Sequence, residues 1–175
     1  MFARDELIEN ATSGILIEAN SGKIIYEKNK DKRVSVASMT KMVAQILILE
    51  EVEAGKIHWN DMVTVSRNAS DMGGSQIYLE ENEQMSVEDL MKGISVASGN
   101  DATVAMAEYI SGSEKEFVKK MNQKVKVLGL RNTHFANCTG LDEENHYSSS
   151  YDMAMIAREL VVNYPEILRF SSIYE

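Results

Sequence analysis

Residues 34–49, VSVASMTKMVAQILIL, decide the fold because Lys41 is the only charged residue in an otherwise apolar or neutral run. Ser38 precedes Lys41 by three positions, so a helix places the hydroxyl and the amine on one face. An ammonium drawn into apolar surroundings has its charged form disfavoured and its pKa lowered. A serine beside a neutral amine is an activated nucleophile. The run therefore predicts a central buried helix from Ser38 to Ala54, ended by Gly55, with Ser38 as candidate nucleophile and Lys41 as candidate base.

The same spacing also fits a purely structural role, in which Ser38 caps the helix and Lys41 extends to the surface. A second polar group lies further along the chain, at Ser98-Gly99-Asn100 within ISVASGNDATVAMA. A small polar turn between apolar helices needs partners, because an unsatisfied buried polar group costs about 1–3 kcal/mol. An active site would supply such partners. The structural alternative is that Ser98 or Asn100 caps a helix running from Asp101 to Ile110.

Composition restricts the function classes. The 175 residues are 44% hydrophobic, which is enough for one domain with a proper core. A formal net charge of −9 argues against a nucleic-acid partner, since that affinity comes mainly from clustered Lys and Arg. Cys138 is the only cysteine, so no intrachain disulfide is expected, and the three scattered histidines predict neither a metal site nor a cofactor. A group of lysines is interpreted as a solvated helix face: Lys119, Lys120, Lys124 and Lys126.

Targeting and membrane segments are not expected from the printed residues. Met1 to Arg4 lack the apolar stretch of seven or more residues that an export signal needs. The longest apolar stretch, from Met42 to Leu49, is far shorter than the roughly twenty residues of a membrane-spanning helix.

Local patterns predict the elements around this helix. Two strand-like runs, Gly14 to Glu18 and Lys23 to Lys28, flank turn-forming residues and indicate a β-hairpin. A short strand is predicted over Met62 to Val65, and a loop over the candidate site at Ser70 to Gln84. Three serines predict helix starts, with Gly129 and Pro165 as helix ends: Ser86, Ser113 and Ser149.

The two polar motifs, taken together, resemble the serine D-alanyl-D-alanine carboxypeptidases among the low-molecular-weight penicillin-binding proteins. The signature of those proteins and of their β-lactamase relatives is Ser-x-x-Lys, a Ser-x-Asn element and Lys-Thr-Gly. The likeness extends over nearly the whole chain, through the phrases SGILIEANSGKIIYEKN, VASMTKM, ASGNDATVAMAEY, LGLRNTHFAN and TGLDEENHYSSSYDMAMIAREL.

The resemblance implies an α+β fold of the β-lactamase/penicillin-binding-protein type, with a helical cluster and an antiparallel sheet. Residues 1–175 would be a partial catalytic domain, with an N-terminal hairpin at 12–29 and a helical region at 38–175. No Lys-Thr-Gly occurs in the printed sequence, and the family places that motif and further strands later in the chain. A short sheet with an open edge is expected to pair with another chain or to aggregate.

By resemblance, Ser38 attacks the carbonyl between two D-alanines and Lys41 takes its proton. Ser98 relays a proton to the leaving amine, while Asn100 holds Lys41 and the substrate amide. Ser38, Ser98 and Asn100 are then the substrate-binding residues. The implied partners are peptidoglycan stem peptides ending in D-Ala-D-Ala and β-lactam antibiotics, with no cofactor. The implied location is extracytoplasmic, secreted or on the outer face of the cytoplasmic membrane.

Three other functions stay open at this point. A cysteine hydrolase would use Cys138 with His134 or His146. A class A β-lactamase would need a glutamate some distance after the second motif, and the stretch from Arg131 to Ala136 contains none. An inactive fragment or a β-lactam-binding module without turnover is the non-enzymatic alternative.

Overall fold

A β-hairpin opens the part of the chain that the computed structural model describes, residues 8–174. Strand β1 (Gly14–Ile17) pairs antiparallel with strand β2 (Ile24–Lys28). In the turn, the Glu18 carboxylate accepts two backbone N–H groups at 2.9 and 2.7 Å, and Gly22 has a φ of +69°. Local side-chain acceptors and a glycine of positive φ are what a tight turn requires. The predicted hairpin is confirmed.

The central helix forms, but with a different beginning from the one predicted. Helix α1 spans Lys41–Glu53, and a 3₁₀ turn, Ala37–Thr40, precedes it. Ala37 has a φ of +46°, a left-handed value that a right-handed helix does not contain. The prediction that the α-helix starts at Ser38 was therefore wrong in its first turn, since Ser38 lies on the tighter 3₁₀ segment. Gly55, at φ +65°, follows the helix end as predicted.

A second pair of short strands lies on either side of the predicted loop. Strand β3 (Met62–Thr64) pairs antiparallel with strand β4 (Gln84–Ser86), and the short helix α2 (Arg67–Ser70) follows β3. The loop itself occupies residues 71–83. Strand β3 is confirmed, whereas β4 was not predicted, because three residues are too few for an alternating pattern.

The remaining helices of residues 8–174 are α3 (Val87–Ala97), α4 (Asn100–Ser111), α5 (Glu114–Val127), α6 (Ser150–Asn163) and α7 (Ile167–Ser171). The predicted serine caps are confirmed: Ser86, Ser113 and Ser149 each accept the backbone N–H three residues later. Gly129 has a φ of +72° after α5, and α6 ends before Pro165.

Helix α4 begins without a serine cap of this kind. Its N-cap is Gly99, and no side chain makes the capping hydrogen bond. Ser98 ends α3 in the left-handed conformation, with a φ of +56°. The alternative in which Ser98 or Asn100 serves as the cap of this helix was therefore wrong, and both side chains are left to other roles.

The core surrounds α1, which packs against α4, α5 and α6. Most of its side chains are buried: Val43, Ala44, Gln45, Ile46, Leu47, Ile48 and Leu49. Lys124 does not belong to a solvated face as predicted, because only 12% of its side chain is exposed. It pairs with Glu50 of α1 at 2.7 Å and with Glu159 of α6 at 3.2 Å, and so ties three helices together.

A long segment without helices, residues 130–149, returns past the beginning of α1. Val34 and Ser148 exchange backbone hydrogen bonds of 2.8 and 3.1 Å, and His134 and Tyr147 exchange bonds of 2.9 Å. These ladders bring residues 137–141 against the turn that carries Ser38.

The predicted class is confirmed, since the helices of residues 8–174 cluster beside two separate two-stranded antiparallel sheets. Within residues 8–174, no helix has the length and apolar character that crossing a membrane requires. The expectation for an export signal at Met1 to Arg4 concerns residues outside those described.

Candidate active site

Ser38 and Lys41 meet as the spacing predicted. Lys41 is the first residue of α1, and its Nζ lies 3.1 Å from Ser38 Oγ. The second partner of Nζ is the carbonyl oxygen of Thr139, at 2.8 Å. Lys41 is 3% exposed, whereas Ser38 is exposed. A hydroxyl that faces solvent above a buried amine is the arrangement of a nucleophile with its base.

The surroundings of Lys41 disfavour its charged form compared with a lysine in water. Burial lowers the pKa of Lys41 from 10.5 to about 8, and the nearby Cys138 thiol opposes this effect only in part. At pH 7 about one Lys41 in ten is then neutral, compared with fewer than one in a thousand for an ordinary lysine. Lys41 can therefore accept a proton near physiological pH, as the apolar run of sequence indicated.

Ala37, the residue before Ser38, has an uncommon backbone conformation and lies in close contact with Gly140. Ala37 has a positive φ of +46°, and Gly140 lies directly against it at a φ of +90°. A Cβ on Gly140 would collide with the carbonyl of Ala37 and would lie 3.0 Å from Ser38 N. Only glycine fits there, so Gly140 is a residue on which the position of Ser38 depends.

Ser98 and Asn100 lie together at the junction of α3 and α4. Asn100 is 4% exposed, its Nδ2 donates to the carbonyl of Gly73 at 2.7 Å, and its backbone N–H donates to Ser75 at 2.7 Å. A Cβ built on Gly74 would lie 2.7 Å from Asn100 Nδ2 and 3.6 Å from a Leu141 methyl. The loop 71–83, the Asn100 turn and the segment after Gly140 therefore converge beside the Ser38 turn.

The structure does not show the bond between Asn100 and Lys41 that the resemblance implied. In residues 8–174, the amide of Asn100 is bonded to the loop, and the ammonium of Lys41 is bonded to Ser38 and Thr139. Thr139 was missed because it lies nearly a hundred positions from Lys41 and makes the contact through its backbone carbonyl. The phrase TGL, quoted for the resemblance, was its only signal.

Asp101, the only charged residue between Ile94 and Ala107, anchors the loop over the site. The carboxylate is 1% exposed and accepts the backbone N–H groups of Ile77 at 3.0 Å, Leu79 at 3.1 Å and Ala102 at 2.8 Å. Backbone N–H groups bound to a buried carboxylate form strong, charge-assisted hydrogen bonds. Asp101 therefore fixes the loop 71–83 on the first turn of α4.

The residues of the cysteine-hydrolase alternative do not form such a site. Burial raises the pKa of the Cys138 thiol well above its ordinary value, which disfavours the reactive thiolate. His146 Nδ1 accepts the Ala136 N–H, so its Nε2 carries the proton of the neutral ring and contacts Thr40 Oγ1 at 2.8 Å. His134 Nδ1 contacts a backbone carbonyl. Among the residues described, no three His, Cys, Asp or Glu side chains form a metal site.

Solved structures that superpose on this chain include a D-alanyl-D-alanine carboxypeptidase and a penicillin-binding protein. The D-alanyl-D-alanine carboxypeptidase DacD from Francisella tularensis superposes with a TM-score of 0.92 at 38% identity, covering 95% of this chain and 40% of that one. Penicillin binding protein 5 from Haemophilus influenzae superposes at 0.88 with 42% identity, covering 91% and 47%. The architecture is therefore that of the penicillin-binding proteins.

The sequence comparisons give the family. The chain belongs to the family Peptidase_S11, D-alanyl-D-alanine carboxypeptidase, which matches residues 3–175. The D-alanyl-D-alanine carboxypeptidase DacF of Bacillus subtilis (strain 168) is 56% identical over 170 residues, which are 97% of this chain and 43% of that protein. The chain thus spans less than half the length of these relatives. The family is one of hydrolases, which confirms the predicted enzyme class.

Proposed function

We propose that this protein is a serine D-alanyl-D-alanine carboxypeptidase that removes the terminal D-alanine from peptidoglycan stem peptides. The observation that carries the proposal is the 3.1 Å approach of Lys41 Nζ to Ser38 Oγ, where burial lowers the pKa of Lys41 to about 8. The substrate class is supported by relatives that are named D-alanyl-D-alanine carboxypeptidases.

In the proposed reaction, Ser38 Oγ attacks the carbonyl carbon between the two D-alanines while Lys41 Nζ takes the hydroxyl proton. The backbone N–H of Ser38 would donate to the oxyanion that forms. The C–N bond then breaks, and protonated Lys41 returns its proton through Ser98 to the leaving amine of the terminal D-alanine. Water hydrolyses the resulting ester and frees Ser38, with Lys41 again as base, so that atoms and charges balance over the cycle.

Asn100 is proposed to bind the substrate. One of the two Nδ2 hydrogens is used by the carbonyl of Gly73, so the carboxamide is oriented and its Oδ1 can accept a substrate N–H. A pre-oriented amide contributes binding without the entropy cost of fixing a free side chain. Ser98, held in a left-handed backbone conformation beside it, is proposed to bind the same part of the substrate.

The same chemistry predicts reaction with β-lactams. A β-lactam presents a cyclic amide to Ser38, and the leaving amine stays attached to the acyl group after the ring opens. It can then hinder the approach of water, so we expect a long-lived ester on Ser38. A relative of similar fold is a penicillin binding protein, which supports this expectation.

Adduct mapping tests the proposal on the product of the complete reading frame. After incubation with benzylpenicillin, peptide mass spectrometry should find the adduct on Ser38, and Ser38→Ala should abolish both the adduct and D-alanine release from a D-Ala-D-Ala peptide. Cys138→Ala is the matched control and should keep both. An adduct on Ser98 or Cys138 with Ser38 unmodified would overturn the assignment, as would a wild-type protein that releases no D-alanine.

Residues 1–175 are proposed to form part of the catalytic domain, and the protein to act on the outer side of the cytoplasmic membrane, where peptidoglycan lies. A strand of another chain is proposed to pair with the outer edge of the β1–β2 hairpin, because residues 8–174 place no third strand beside these two. Cell fractionation tests the location, and sedimentation of the protein at several concentrations tests the pairing. A cytoplasmic location or a monomer at all concentrations would contradict the respective proposal.

A further inference from the structure

One asparagine side chain organises the turn that faces the Ser38 pair. Asn137 Oδ1 accepts the Gly140 N–H at 2.8 Å and the N–H and hydroxyl of Thr139 at 3.2 and 3.3 Å. Its Nδ2 donates to the Leu141 carbonyl at 2.9 Å and to the Glu143 carboxylate at 3.1 Å. The side chain therefore uses both of its polar atoms within one turn, residues 137–143, and fixes its backbone.

Two groups of that turn contact the nucleophile and its base. The carbonyl of Thr139 accepts a hydrogen bond from Lys41 Nζ at 2.8 Å. Gly140 lies against the backbone of Ala37 and Ser38, where a Cβ would collide. The Asn137 side chain accepts the backbone N–H of both Thr139 and Gly140. A single carboxamide therefore positions the carbonyl beside Lys41 and the backbone beneath Ser38.

We propose that Asn137 is a positioning residue for the Ser38–Lys41 pair, acting through the turn that covers the buried amine. It touches neither reacting atom. The effect of Asn137 on acylation rests on the proposed function. Its effect on the pKa of Lys41 can be measured without any enzymatic activity.

The expected effect follows from what surrounds Lys41. Burial is the largest cause of its lowered pKa, and the Cys138 thiol is the titratable group beside it. The other titratable groups around the turn have hydrogen-bond partners other than Lys41: Asp142 contacts the Ser35 hydroxyl, Glu143 the Asn137 amide, Glu114 of α5 the Cys138 N–H and His146 the Thr40 hydroxyl. If the turn loosens, water reaches Nζ, and the pKa of Lys41 rises from about 8 towards its ordinary value.

Asn122 provides a matched control on the neighbouring segment. Its Oδ1 accepts the Phe135 N–H at 3.0 Å, and its Nδ2 donates to the carbonyls of Phe135 at 2.8 Å and Val118 at 3.1 Å. It thus anchors a backbone segment with the same kind of bonds, yet it makes no hydrogen bond with residues 137–143. Removing it should cost stability without changing Lys41.

The test compares Asn137→Ala with Asn122→Ala by following the ¹³Cε resonance of Lys41 against pH, assigned by its loss in Lys41→Arg. Both variants should unfold at a lower temperature. Only Asn137→Ala should raise the pKa of Lys41, by about one unit, which leaves roughly tenfold less neutral amine at pH 7. If the alanine variant does not fold, Asn137→Ser should show a smaller rise, because its hydroxyl can form a weaker version of the turn.

An unchanged Lys41 titration in the folded Asn137 variant, or an equal shift in Asn122→Ala, would overturn the proposal. The acylation rate against pH, measured with fluorescent penicillin, should move by the same amount as the titration. A wild-type protein that is not acylated at all would refute the proposed function, and the titration would still decide the role of Asn137.

Discussion

Replacing Gly140 with alanine tests whether the backbone beneath Ser38 sets the position of the nucleophile. Gly140 has a φ of +90°, and a Cβ there would collide with the carbonyl of Ala37 and lie 3.0 Å from Ser38 N. A left-handed conformation costs a residue with a Cβ about 1–2 kcal/mol before the collision is counted. The Ser38 turn must then move to relieve the contact. Because a displacement of about 1 Å can cost roughly a hundredfold in rate, we expect acylation to fall by at least that factor.

Gly129→Ala is the matched control, since Gly129 has a φ of +72° and nothing within 4 Å of a built Cβ. It carries the same backbone cost, which lowers the melting temperature of a protein of this size by about 2–8 °C. Gly140→Ala should lose at least as much stability as the control. Unlike the control, it should also lose acylation by fluorescent penicillin. The reasoning is refuted if Gly140→Ala is acylated within about threefold of Gly129→Ala, because the predicted displacement would then be absent.

Three further substitutions probe other parts of the account. Lys41→Arg keeps the charge but removes the base, so acylation should fall at least about a hundredfold, and a loss below tenfold would contradict general-base catalysis. Asp101→Ala leaves two loop amides unsatisfied and should cost about 2–6 kcal/mol of unfolding free energy. Hydrogen exchange of the loop amides should become faster, and unchanged exchange would show that other contacts hold the loop. Lys124→Met leaves Glu50 and Glu159 without their shared cation and should cost about 1–3 kcal/mol, reduced by their partial exposure. Burial lowers the pKa of Lys124, but its hydrogen bonds to the two carboxylates raise that pKa overall. The stabilisation by Lys124 should therefore persist at pH 7–9 and decline only above about pH 10.4. A loss of this stabilisation that is already complete at pH 8 would contradict the prediction.

Local rules were enough for the elements that neighbouring residues determine. The serines at 86, 113 and 149 cap helices because a hydroxyl reaches the N–H three residues on, whatever the rest of the fold does. The hairpin turn and the meeting of Ser38 with Lys41 are likewise short-range, since the residues involved lie within a few positions of one another.

The rest of the site depends on contacts between distant residues. Thr139 binds Lys41 through a backbone carbonyl, and any residue type carries one, so no side-chain pattern marks it. The role of Gly140 depends on the backbone of Ala37, and that of Asp101 on the path of a loop more than twenty positions earlier. Such contacts follow from the packed fold, which a single sequence read by periodicity does not determine.

The central claim is that Ser38 is activated by the neutral form of Lys41, and the pH dependence of acylation tests it most directly. The rate constant for reaction with fluorescent penicillin should be measured from about pH 6 to about pH 10 in the wild type and in Lys41→Arg. Neutral Lys41 accumulates as the pH rises through its pKa, so the wild-type rate should increase to a plateau with a midpoint at about 8. A wild-type rate that does not change over this range, or the same midpoint in Lys41→Arg, would contradict the claim.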